Sequence, residues 1–177
     1  MNRKIKQIAL SASVSCIDPL EYGEVVTSLD KAGLDAYHFD VCDGHFAHTF
    51  VLSPLIIRAL REISPKRFDA HLYCTHPSRY VDELKQCGVN TIIVQYESVE
   101  NWIEVVKEVR KSGLRAGLGI LPYSKASDSK LLHDIVRHGD VLDLIITNTV
   151  GPAYSGQPFD ARGLENLKTI RKLLDEN

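Results

Sequence analysis

The feature that most constrains this chain is an alternation of strand-like and helix-like segments, repeated about six times. Residues 8–14 read as a first strand, and Asp18-Pro19 opens a helix, since Asp caps and Pro suits the first turn. Leu20, Val25, Leu29 and Ala32 then fall near helical spacing, and Gly33 ends the helix. The same grammar gives strands at 36–41, 68–72, 91–94, 115–120 and 141–147. Between them it gives helices at 53–62 behind Ser53-Pro54, at 78–87 behind Thr75-His76-Pro77 and stopped by Gly88, and at 101–112 stopped by Gly113. A fifth is capped by Ser127 or Asp128 and runs to His138, and a last one spans 160–174. Such alternation implies a parallel sheet with helices outside it. Right-handed crossovers leave two architectures, an open doubly wound sheet or a (β/α)₈ barrel. The first predicts a glycine-rich turn after the first strand when the ligand is a dinucleotide, whereas here that turn is Ser15-Cys16-Ile17-Asp18. At 177 residues the chain is long enough for one domain, 1–177, with a real core.

Charge and cysteine usage narrow the partners. A net charge of -2 offers no electrostatic footprint for nucleic acid or an anionic membrane, so a phosphate group must be held locally. No apolar run approaches the roughly 20 residues of a membrane helix. The basic start Met1 to Gln7 precedes an apolar stretch broken by Ser11 and Ser13, read as a strand and not as a signal peptide. Cys16, Cys42, Cys74 and Cys87 form no Cys-x-x-Cys pair, which fits a reduced, cytoplasmic protein.

In both architectures the chemistry sits at the C-terminal ends of the strands. Those ends offer Ser13, His38 and Asp40, Asp69 and His71, Gln95 and Glu97, and Thr147, Asn148 and Thr149. On a strand, residues two apart share a face, so His38/Asp40 and Asp69/His71 are same-face pairs on neighbouring strands. Two imidazoles and a carboxylate converging in a pocket make a three-ligand metal site with open positions, or a proton-transfer pair. The alternative is a set of buried polar groups satisfying one another. Gly44 suits a special turn conformation or plain loop punctuation. His45 and His48 lie in the same loop, where His48 reads as solvent-facing. The loop from Gly151 to Gln157 can offer backbone N–H groups to a phosphate or simply connect. Glu97 reads as a helix cap or surface residue before an acid/base group, and Cys42 and Cys74 read as packing.

The stretch His38-Phe39-Asp40-Val41-Cys42-Asp43-Gly44-His45-Phe46 resembles the His-x-Asp-x-Met-Asp-Gly-x-Phe segment of the ribulose-phosphate 3-epimerase family. Asp69-Ala70-His71-Leu72 is similar to that family's third-strand segment, and residues 149–159 are similar to its phosphate loop. The order and approximate spacing of all three match. The resemblance implies a TIM barrel of which about six of eight β/α units lie in this chain. It implies one divalent metal (zinc, iron, manganese or cobalt) on His38, Asp40 and His71, with Asp40 also the catalytic base. Ser13 and His71 would contact substrate, and Ser155 and Gly156 would hold its phosphate. The implied reaction is epimerisation of a ketose phosphate at carbon 3, of the D-ribulose 5-phosphate to D-xylulose 5-phosphate type, in the pentose phosphate pathway. The partners expected are a small-molecule sugar phosphate and further copies of the chain, with no nucleic acid and no membrane.

Several positions depart from the family pattern. Its methionines near the metal become Cys42, Tyr73 and Asn148, its fourth-strand histidine becomes Gln95, and its fifth-strand asparagine becomes Leu121. Its phosphate-loop glycines become Ala153 and Ser155, and Ala12 stands where it has proline. Its second catalytic aspartate belongs to a seventh strand, and the last residues here, to Asn177, read as the sixth helix. The expectation is therefore a fragment of a longer protein or a shortened, diverged member. The alternative to an epimerase is a non-catalytic barrel that binds a sugar phosphate or metal without turnover. A hexulose-phosphate synthase-like lyase ranks lower, because His71 occupies the position of that family's lysine.

Overall fold

Strand order decides between the two architectures. In the computed structural model, which describes residues 8–124, 129–153 and 156–176, one sheet contains β1 (Ser11–Ser13), β2 (Ala36–Cys42), β3 (Arg67–Tyr73), β4 (Thr91–Gln95), β5 (Arg115–Ile120) and β6 (Leu144–Thr147). The strands pair in sequential order and every pairing is parallel. A doubly wound sheet reverses its order at a switch point, and this one does not. Sequential order with right-handed crossovers keeps the helices on one side and rolls the sheet, which is the barrel arrangement. The helices are α1 (Tyr22–Lys31), α2 (Pro54–Arg61), α3 (Val81–Gln86), α4 (Trp102–Lys111), α5 (Ser129–His138) and α6 (Ala161–Glu176). Among the described residues no helix is long and apolar enough to cross a membrane.

Local chemistry explains most boundaries. Asp18 accepts the Leu20 N–H at 3.0 Å, and Pro19 opens a short 3₁₀ turn that leads into α1. Ser53 precedes Pro54 without a side-chain cap bond, so α2 starts on the proline's fixed φ alone. The caps expected at Ser127 and Asp128 lie outside the described residues. Gly33, Gly88 and Gly113 follow α1, α3 and α4 at φ +86°, +80° and +89°, the left-handed stop that glycine adopts without strain. Gly139 departs from this pattern and begins a 3₁₀ turn.

Two strands are shorter than the apolar runs suggest. The first covers Ser11–Ser13 and not residues 8–14, because Val14–Cys16 coil into a 3₁₀ turn. Leu10 enters the sheet through its carbonyl, which accepts the Asp35 and Ala36 N–H groups at 3.2 and 3.1 Å. The sixth begins at Leu144 and not at Val141. Ahead of it, Asp143 accepts the Ala116 N–H at 2.9 Å and the Arg110 guanidinium at 2.7 Å, and its own N–H donates to the Ala116 carbonyl at 2.8 Å.

The period of two on each strand divides the molecule. Tyr37, Phe39, Phe68, Leu72, Ile92 and Leu118 point outward into the helix-facing core. There α4 contributes Trp102, Val105, Val106 and Val109, each worth roughly 1.5–3 kcal/mol when fully buried. The opposite face carries His38, Asp40, Asp69, His71 and Gln95, which is why these polar side chains collect inside the curve of the sheet.

One carboxylate fastens the loop after β2. Asp43 Oδ1 accepts the His45 and Phe46 N–H groups at 2.9 and 3.0 Å, while Oδ2 accepts the Thr75 N–H and hydroxyl at 2.7 and 2.8 Å. Partial burial opposes its charge, but these donors outweigh it and hold the carboxyl down at about 2. Next to it Gly44 turns at φ +74°, and a Cβ there would run into the Phe50 ring. Because the folded pKa lies below the unfolded value of about 3.9, the stabilisation is complete above that value. It is lost as pH falls through the folded pKa. Asp43→Asn should cost about 1–3 kcal/mol at neutral pH. Urea unfolding of both proteins at about pH 7 and pH 3 checks this, since the gap should narrow at the lower pH.

Candidate active site

The C-terminal ends of β1, β2, β3 and β6 surround a cavity of about 310 Å³ whose lining includes Ser13, Ser15, His38, Asp40, His71, Tyr73 and Asn148. Strand register makes the site. Ser13 pairs with His38 across β1 and β2, and Asp40 pairs with His71 across β2 and β3. The His38 Nε2 lies 3.2 Å from Asp40 Oδ1. Ser15 and Ser13 donate their hydroxyls to Asp40 Oδ2 at 2.9 and 3.3 Å. Ser15 reaches it because the chain coils into the 3₁₀ turn directly after β1. The His38 and His71 rings meet edge to face, 5.4 Å between centroids. One ligand atom from each of His38, Asp40 and His71 lies within 4.8 Å of the other two.

The electrostatics suit that donor set. Burial works against charge on Asp40, but the hydrogen bond and charge of His38, the charge of His71 and the Ser15 hydroxyl together hold its carboxyl down at about 2. Burial, and then the neighbouring His38, push the His71 imidazole down to about 3 against the pull of Asp40 and Gln95. At neutral pH the site therefore presents an ionised carboxylate and a neutral imidazole with an available electron pair. Those are the states in which both residue types bind a divalent metal. Two nitrogens and a carboxylate with open positions are the donor set of zinc and non-haem iron centres.

Further residues fix these groups. His71 Nε2 lies 2.7 Å from Gln95 Oε1 on β4. The Gln95 side-chain amide donates to Glu97, whose other oxygen accepts the Leu121 N–H at 2.9 Å. Glu97 is thus neither a helix cap nor a free surface group, contrary to the sequence reading, since its carboxylate turns inward to two donors. Gly119 on β5 leaves space for the pair, because a Cβ there would collide with His71 Nε2 and lie 2.7 Å from Gln95 Oε1. Tyr73 stacks on His71 with centroids 4.2 Å apart, and its hydroxyl accepts the Asn148 side-chain N–H at 2.6 Å. Burial, with the charge of Asp40, pushes the Tyr73 phenol far above its usual range, so it stays protonated.

Not every expected residue joins the cavity. Asp69 shares the inner face of β3 but is held by Arg67 Nε at 3.0 and 3.2 Å, away from the His38, Asp40 and His71 cluster. Ser155 lies outside the described residues. Gly156 is exposed at φ +75° and is not among the described residues that line the cavity, whereas Gly151 and Ala153 are. His45 and His48 are both exposed. Burial, with nearby carboxylates, pushes the Cys42 and Cys74 thiols up to about 12, which leaves them as packing groups. Sequence reasoning missed Ser15 and the ring contact of Tyr73. The i, i+2 spacing of Ser13 and Ser15 was the visible signal for the first.

Residues 9–177 match the model of the ribulose-phosphate 3 epimerase family. A ribulose-phosphate 3-epimerase of Bacillus subtilis is 28% identical over 170 residues, covering 96% of this chain and 75% of that protein. One from Synechocystis is 30% identical over 173 residues, covering 97% and 73%. Among solved structures, orotidine 5'-monophosphate decarboxylase from Methanocaldococcus jannaschii aligns over 92% of this chain and 74% of its own at a TM-score of 0.62. At 16% identity that likeness speaks for the TIM-barrel fold alone.

The Gly119 contact yields a direct test. Gly119→Ala places a methyl where the His71–Gln95 pair sits, and overpacking of this kind costs about 1–3 kcal/mol. Urea denaturation should register that loss, while Gly33→Ala should leave the His71 ring unmoved in side-chain NMR spectra.

Proposed function

The chain belongs to the ribulose-phosphate 3 epimerase family, and from that premise we propose that it acts on a ketose phosphate at carbon 3. The reaction is of the D-ribulose 5-phosphate to D-xylulose 5-phosphate type. The observation that carries this reading is the convergence of His38, Asp40 and His71 in the cavity at the strand ends. These three residues would hold one divalent metal, with zinc, iron, manganese and cobalt as the candidates. When bound, that ion supplies Lewis-acid stabilisation of the negative charge that develops on the substrate as the proton next to the carbon-2 ketone leaves.

Asp40 is the base in this proposal. It stays ionised across the physiological range, so it is always ready to accept the carbon-3 proton. It is also a weak base, so transfer depends on stabilising the enediolate rather than on its own proton affinity. Ser13 and Ser15 hold Asp40 Oδ2 from one side and His38 holds Oδ1 from the other, which fixes the carboxylate plane. In the same reading Ser13 and His71 contact substrate. Ser155 and Gly156, with their loop neighbours, offer backbone N–H groups to the phosphate.

Inversion needs a second proton donor on the opposite face. Asp40 is the one carboxylate among the described residues that line the cavity. These residues account for removal of the proton and not for its return from the other side. That observation favours, as a second reading, a barrel that binds the sugar phosphate or metal without full turnover.

The two readings separate in deuterium oxide. With one of the four metals added, the chain should exchange the carbon-3 proton of D-ribulose 5-phosphate for deuterium, followed by proton NMR. Asp40→Asn should slow the exchange by about 10²–10⁴-fold. Accumulation of the xylulose epimer marks an epimerase. Ligand-induced thermal stabilisation with neither exchange nor product supports the binding reading. Protein that takes up no metal, shows no exchange and gains no stability from the sugar phosphate would sink both.

A further inference from the structure

Leu121, Glu97, Gln95 and His71 form a hydrogen-bond chain whose polarity can be read from its far end. The Leu121 backbone N–H donates to Glu97 Oε1 at 2.9 Å. Glu97 Oε2 faces the side-chain amide of Gln95 in a short contact. The Gln95 atom placed against it is the amide NH₂, which donates to the carboxylate oxygen. That turns Gln95 Oε1 toward His71 Nε2, 2.7 Å away. An amide oxygen only accepts, so Nε2 must carry the ring proton. The backbone amide of Leu121 thus dictates, through two side chains, where His71 keeps its hydrogen.

We propose that Glu97 and Gln95 are positioning residues that fix His71 as the Nε2–H tautomer, leaving Nδ1 as the electron pair it offers the cavity. Gln95 is 0% and His71 1% exposed, so water does not compete for the bond. The ring is also held in place. Tyr73 stacks on one face, and Gly119 admits the Nε2 and Cε1 edge with no room for a Cβ. The consequence for metal binding rests on the reading of His38, Asp40 and His71 as ligands. In such sites the partner of a histidine's second nitrogen sets its tautomer and orientation.

A pair of variants tests the polarity. In Glu97→Gln, the Leu121 N–H still requires an acceptor, so the new amide keeps its oxygen there and turns its NH₂ to Gln95. The Gln95 amide must then reverse and present NH₂ to His71, moving the ring proton to Nδ1. The double variant Gln95→Glu/Glu97→Gln restores the original polarity, because a carboxylate now accepts from His71 and from the amide behind it. Long-range proton–nitrogen spectra of the metal-free proteins at about pH 8, above the ordinary imidazole range, read the tautomer directly. The expected result is Nε2–H in the wild type, Nδ1–H in Glu97→Gln, and Nε2–H again in the double variant. Cobalt(II) titrations followed by visible absorption should show affinity falling about 10–100-fold in the single variant and recovering in the double one.

Nδ1–H in the wild type overturns the proposal, as does an unchanged tautomer in Glu97→Gln or a double variant that fails to restore it. If the tautomers move as expected while cobalt binds all three proteins equally, Nδ1 is not the donor and the metal half is overturned. If they move as expected but no protein binds cobalt, the tautomer assignment is supported and the metal reading of the preceding section fails.

Discussion

In the parallel ladder between β2 and β3, Asp40 stands opposite His71, and nearly everything else in the molecule depends on that register. A slip of one residue on either strand would turn its inner set outward, placing His38 and Asp40, or Asp69 and His71, among the helices. It would also bring Phe39 or Leu72 into the cavity. The aromatic and aliphatic side chains of the outer face, Tyr37, Phe39, Phe68 and Leu72, forbid the slip because each is fully buried against the helices. The hydrophobic packing on the outer face therefore specifies the polar site on the inner one.

The inner face holds charge and polarity away from water, a costly arrangement unless each group has a partner. Here the partners are arranged in two sets. Asp40 draws on Ser13, Ser15 and His38, all from the β1–β2 side. His71 draws on Gln95, and through it on Glu97 and Leu121, from the β4–β5 side. The two sets meet at the Asp40–His71 register, so each of these two side chains is oriented from a different direction. Asn148 Oδ1 and Thr91 Oγ1 are buried atoms without a hydrogen-bond partner.

What the sequence made legible, and what it did not, follows from the range of the interactions. The strand–helix alternation and the His38, Asp40 and His71 faces were readable because side-chain period on a strand is local. The stops at Gly33, Gly88 and Gly113 were readable because a left-handed terminus selects glycine locally too. The true start of β6 was not, because it is set by Asp143 reaching Arg110 and Ala116 on other elements. The inward turn of Glu97 was hidden for the same reason, since its second donor is a backbone N–H 24 residues away, at Leu121. The early end of β1 was also masked, because residues 8–14 carry an apolar pattern that suits a strand, while the chain coils at Val14 so that Ser15 can reach Asp40.

The hydrogen bond from Asn148 to Tyr73 joins the ends of β6 and β3, strands that are separated in the sheet by β4 and β5. An arc crossed by a chord has a fixed radius. With this tie in place, the sheet cannot flatten without breaking it, and Tyr73 in turn leans on His71. Curvature and chemistry are therefore coupled mechanically. Straightening the sheet would break this bond and disturb the ring stacked against the His71 imidazole.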